Sequence, residues 1–93
     1  MGVERTVNLS PGAEVSWAAV AARSGVDLKL MMIDGLPALP GEEPPEGWAD
    51  LRVGTPAGMV TLRRTPAGVS VVVWGNASPE LLAARDAIAD ALL

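Results

Sequence analysis

Arg52 and Arg63 are the side chains in this sequence best disposed to bind something. Under the strand register argued below, both project from one face of neighbouring strands, with Trp74 on the strand beyond. Two guanidinium groups beside an indole can receive a carboxylate or a phosphate through bidentate hydrogen bonds. Met59 and Val72 share that face, and Trp48 stands at the end of a long loop that could hinge over it. The candidate binding residues are therefore Arg52, Arg63, Trp74, Met59, Val72 and Trp48. The competing reading is a solvated face on which Asp50 and glutamate side chains already occupy the arginines, and exposed ion pairs of that kind contribute little.

Catalytic chemistry is narrowed by the residue types that are missing. The chain has no His and no Cys, so Ser-His-Asp and Cys-His arrangements, thiolate chemistry and disulfides are excluded. A zinc or copper site would have to be built from carboxylates alone, which those metals seldom use. No cofactor is expected. Lys29, the single lysine, follows Leu28 and not the glycine of a phosphate loop, and Gly54, Gly58 and Gly68 fit no dinucleotide fingerprint. Asp27 precedes Lys29 by two residues and offers it an exposed partner. Asp34 with Glu42 or Glu43 could form an acid–base pair, but nothing in their segment would bury them and so tune them. The expectation is a protein that is not an enzyme.

The elements that position these residues are punctuated by two copies of Thr-Pro-Ala-Gly, at 55–58 and 65–68. Pro suits the second position of a turn and Gly the last. Apolar runs flank both copies, which predicts a three-strand antiparallel meander. Pro cannot take the positive φ of a primed two-residue turn, so a four-residue loop with Gly54 opposite Met59 is expected. That register places Leu51, Val53, Val60, Leu62, Val71 and Val73 on one face and sets Asp50 opposite Arg63 on the other. A slip of one residue would move half of the aliphatic set into water. The second face then carries Met59, Thr61, Arg63, Ser70, Val72 and Trp74, too polar for a core and too apolar for an ordinary wet surface.

The remaining elements follow from periodicity. Val3 to Leu9 alternates as an edge strand. Ser10-Pro11 opens a helix, with Glu14 in its first turn, Arg23 in its last and Gly25 closing it. Val26 to Ile33 reads as a strand. Ser78-Pro79-Glu80 starts a second helix whose Leu81, Ala84, Ile88, Ala91 and Leu92 share one face, leaving Arg85, Asp86 and Asp90 on the wet side. Residues 34–48 hold half of the eight prolines and predict a long Pro/Glu-rich loop with neither helix nor ladder strand.

The 93 residues form a single domain, 1–93. The fold class expected is α+β: a two-layer sandwich with a mainly antiparallel sheet of four or five strands, including the meander, and two helices packed on one face. Hydrophobic residues make up 49% of the chain and Trp is its only aromatic type, so aliphatic side chains must fill the core. The net charge of −4 falls in the first half, since four acids balance four arginines from Ala49 onward. An acidic surface repels phosphate backbones, which argues against nucleic acid as a partner. No stretch has a membrane-spanning or signal pattern, and the Arg-, Ala-, Gly- and Pro-rich composition is that of a GC-rich bacterial genome, so a cytoplasmic location is expected. The functional expectation is a small interaction module, homodimeric through the mixed face or an edge strand. The alternative is a small-molecule-binding protein that uses residues 34–48 as a lid over Arg52, Arg63 and Trp74.

Overall fold

Two Thr-Pro-Ala-Gly corners fold the middle of the chain into a ribbon in the computed structural model, which describes residues 2–8, 17–39, 41–45, 47–66, 68–75 and 77–92. The ribbon comprises β4 (Asp50–Thr55), β5 (Gly58–Thr65) and β6 (Gly68–Trp74); β1 (Gly2–Asn8), β2 (Lys29–Ile33) and β3 (Leu36–Pro37) complete an open sheet of order β1-β6-β5-β4-β2-β3. Every pairing is antiparallel. Helices α1 (Trp17–Ser24) and α2 (Pro79–Ala91) pack against each other, with Val20 of α1 and Ile88 of α2 in the same buried cluster. The class is the expected α+β sandwich, with six strands where four or five are expected.

The meander has the expected register. Gly54 faces Met59 and Asp50 faces Arg63, and Leu51, Val53, Val60, Leu62, Val71 and Val73 are all fully buried together. Pairing runs one step further than expected, because Thr55 faces Gly58 and leaves only Pro56 and Ala57 in the turn. The Thr55 hydroxyl makes this possible. It accepts from the N–H groups of Ala57 (3.2 Å) and Gly58 (3.1 Å) and donates to the Gly58 carbonyl (2.8 Å), a hydroxyl turn that leaves Pro56 at its ordinary φ. Gly58 suits this position because its φ is +142°, and a Cβ there would also crowd the methyls of Leu81, at 3.3 and 3.4 Å.

Strand β2 begins three residues later than expected and is bulged at Met31. Leu30 pairs with Val53 and Met32 with Arg52, so the register shifts between them. The extra residue reverses the expected faces beyond it. Leu30 and Ile33 turn to the core, while Lys29 and Met32 lie on the opposite face.

The segment from Asp34 is not the uninterrupted loop expected of it. Leu36–Pro37 returns beside β2, with Ile33 opposite Leu36 and Met32 opposite Pro37. Asp34 and Gly35 have φ of 49° and 83°, the sign a two-residue primed hairpin demands at both central positions. Pro37 is tolerated because it sits on an edge strand, where no ladder donor is missed. Asp34 also ties the far end of the segment to β4. Its Oδ1 accepts from the N–H groups of Ala49 and Asp50, both at 2.8 Å, and its own N–H donates to the Asp50 carbonyl at 2.8 Å.

Those N–H donors, Ala49 first and Asp50 second, hold the Asp34 carboxyl below its ordinary value of 3.8. A depressed folded-state pKa stabilises the fold fully above the ordinary value, and that contribution disappears as pH falls from there through the folded value. Asp34→Asn keeps the tolerance for positive φ and removes the charge. Thermal melts between pH 7 and pH 2 are expected to show a lower Tm than wild type at neutral pH, converging with it at the acid end. Parallel curves would deny the carboxylate this role.

Helix α2 starts as the sequence indicates: the Ser78 hydroxyl accepts from the Leu81 N–H at 3.1 Å and Pro79 occupies the first turn. It lies across β6, β1 and β5, and Leu81, Ala84, Ile88, Ala91 and Leu92 are buried. Its acids are not merely wet. Arg5 of β1 reaches Asp90 at 2.7 Å and Asp86 at 3.4 Å, while Asp86 also receives Arg85 at 2.9 Å. Helix α1 closes on Gly25, at φ +69°; its expected start at Ser10-Pro11 and Glu14 lies outside the described residues.

Candidate functional site: the helix-free face of the sheet

With both helices on the aliphatic side, the even-numbered residues of β4 and β6 and the odd-numbered ones of β5 face away from them. Three cross-strand rows result. Thr6, Ser70, Arg63 and Asp50 form one; Glu4, Val72, Thr61, Arg52 and Met32 form the next; Met59, Gly54 and Lys29 form the third, with Trp74 two residues beyond Val72 as Met59 is two residues before Thr61. Five of the six residues singled out by sequence, Arg52, Arg63, Trp74, Met59 and Val72, therefore share this face.

The sixth does not. Trp48 is 2% exposed and belongs to the core cluster with Leu51 and Leu62, its ring covered by the Arg64 guanidinium at 4.6 Å. Apolar area outweighs loop position here, since an indole has far more to gain from the core than from solvent. The segment it terminates lies elsewhere too. Its described residues Pro37–Leu39 and Gly41–Glu43 line a hollow of about 660 Å³ with Trp17 and Leu28–Met31. That hollow is at the β2–β3 end of the sheet and Arg52, Arg63 and Trp74 are not among its lining residues, so the described residues of the segment do not form the expected lid over them. Within the segment, Glu42 Oε1 accepts from the Leu39 N–H at 2.9 Å, so Glu42 closes a local turn while Asp34 ties the segment to β4.

Across the face the side chains partly cover one another. The Trp74 indole N–H donates to the Thr61 hydroxyl at 3.4 Å, and the Arg63 guanidinium lies 5.5 Å from the centre of its ring. Arg63 is at the same time held by Asp50 at 3.2 Å. Thr61 is consequently 2% exposed, and Val72 is 4% exposed without joining the core cluster. Around this shielded centre runs an apolar band: Trp74 (52% exposed), Met59 (44%) and Met31 (38%). Met31 bridges the gap left by Gly54, its Cγ 3.5 Å from where a Cβ on that glycine would sit. The band thus crosses four strands, from β6 to β2.

Sequence reasoning did not bring Glu4, Lys29 or Met31 to this face. The polar side of β1 was legible, but its pairing with β6, which sets Glu4 beside Val72, carries no local signal. Met31 arrives through the bulge. Lys29 faces Gly54 and makes no ion pair with Asp27 among the described residues. Arg52 likewise has no carboxylate partner among them, which separates it from Arg63. No group of three or more His, Cys, Asp or Glu is gathered among the described residues as a metal site, and none of their helices is long and apolar enough to cross a membrane.

Compared with known protein families, curated proteins and solved structures, the chain has no significant match. Fold and surface together define its class: a two-layer α+β domain with one sheet face clad in helices and the other bearing an apolar band.

Proposed function

We propose that this domain is a non-enzymatic interaction module that acts as a homodimer, joined through the helix-free face of its sheet. The observation that carries the reading is the band of Trp74, Met59 and Met31, three large exposed apolar side chains brought together from three strands of one face. A contiguous apolar patch edged by charges is the usual mark of a contact surface, and Trp, Met and Arg are the side chains enriched in such surfaces. The face is favoured over the edges. β3 is two residues long and contains Pro37, and β1 carries Glu4 and Arg5, devices that discourage strand addition.

Sedimentation equilibrium tests the reading. The mass expected is twice the 9.6 kDa of one chain, and Trp74→Ala should raise the dissociation constant about 30-fold or more, the effect of removing an interface anchor worth at least about 2 kcal/mol. A single-chain mass at high concentration contradicts the dimer. A dimer indifferent to Trp74 places the contact on another surface.

The hollow beside Trp17 supports a second reading, binding of a small molecule. Its volume of about 660 Å³ lies within the range of ligand sites, and its lining combines apolar side chains such as Trp17, Leu28 and Leu30 with the charged Lys29, Glu42 and Glu43. A tryptophan-fluorescence screen against metabolites carrying carboxylates or phosphates separates the two readings, and no response across the screen removes the second.

A further inference from the structure

We infer that two copies of this chain stack face to face about a twofold axis that runs parallel to the strands between β5 and β6. The inference rests on the homodimer proposed above and specifies how it is built.

In the row Glu4, Val72, Thr61, Arg52, Met32 the two charges stand on β1 and β4, at equal distances either side of the line between β6 and β5. Three strand spacings separate them, about 14 Å, too far for contact within one chain. Glu4 accepts a hydrogen bond from the Thr6 hydroxyl at 3.2 Å, and neither Glu4 nor Arg52 takes part in an ion pair among the described residues. Both are exposed. An acid and a base placed symmetrically either side of the β6–β5 pair form a self-complementary pattern, which is what an isologous contact requires.

Rotation about the inferred axis carries β1 over β4 and β6 over β5. Glu4 then meets Arg52 of the second copy, and Arg52 meets Glu4 of the second copy. In the next row the same operation sets Trp74 over Met59 of the second copy, twice, giving sulfur–aromatic contacts on either side of the axis. Aligned sheets pack about 10 Å apart, a gap that tryptophan, methionine, glutamate and arginine side chains fill from both sides. A twofold axis laid along the row would instead set Glu4 over Glu4 and Arg52 over Arg52. Like charges in register oppose association, and this selects the axis parallel to the strands.

Charge exchange tests the inference. Glu4→Arg and Arg52→Glu each turn both symmetry-related pairs repulsive, and each should raise the dissociation constant of the dimer about tenfold or more. The double variant E4R/R52E rebuilds both pairs in reverse at unchanged net charge, and should return to within about threefold of wild type. A dimer that neither single substitution weakens, or that the double substitution fails to restore, overturns the axis and leaves the homodimer standing. A wild-type chain that stays monomeric overturns both.

Discussion

Replacing Trp48 with Ala is expected to lower the free energy of unfolding by about 3–5 kcal/mol, the usual cost of removing a buried large aromatic. Trp48 lies in no helix or strand, yet it is 2% exposed and closes the end of the core where β4 begins. The Arg64 guanidinium 4.6 Å above its ring adds a cation–π contact of roughly 0.5–1 kcal/mol at a site of this exposure. Domains of this size have only about 5–15 kcal/mol in hand, so the variant should unfold at a visibly lower denaturant midpoint or not fold at all. A midpoint within error of wild type would mean that Trp48 swings into solvent, as a hinge residue would.

Ile88→Ala should cost about 2–5 kcal/mol for the same kind of reason, lost transfer free energy plus the cavity left behind. Ile88 is fully buried between α2 and the aliphatic face of the meander. Leu39, 72% exposed, provides the contrast: Leu39→Ala should change stability by no more than about 0.5 kcal/mol. Equal effects from the two substitutions would mean that α2 does not cover the sheet as described.

These two residues also show how far the sequence could be read. Ile88 was legible because α2 keeps strict helical spacing between a Ser-Pro start and its apolar face, and the meander was legible because register and turn chemistry agree: Leu51 and Val53 reach the same face as Val60 and Leu62 only with Gly54 opposite Met59. Trp48 was not. Its loop position suggested access, whereas its place in the core depends on how Asp34 ties the segment to Ala49 and Asp50. The β2–β3 hairpin was the nearer miss, since Asp34-Gly35 between Ile33 and Leu36 is a strong primed-turn signal that the surrounding prolines obscured. The bulge at Met31 had no comparable signal. It depends on the pairing of β2 with β4, a tertiary fact, and it decides which methionine joins the exposed band.

The candidate face was legible in part for the same reasons. Arg52, Arg63, Met59, Val72 and Trp74 came together because parity within the meander is local information. Glu4 did not, because the edge position of β1 beside β6 is set by chain segments 60 or more residues apart. Its arrival changes the character of the surface, from an arginine–tryptophan patch suited to an anion to a row that carries an acid on β1 and a base on β4.

The three tryptophans report on three different environments, and this gives the most direct test that the helix-free face is the contact surface. In a dilution series followed by the indole N–H resonances, the Trp74 signal should move as the dimer dissociates, because its N–H lies on that face against Thr61. The Trp48 signal, from the core, should stay fixed. A Trp74 resonance that does not move while the mass of the particle halves would contradict the account.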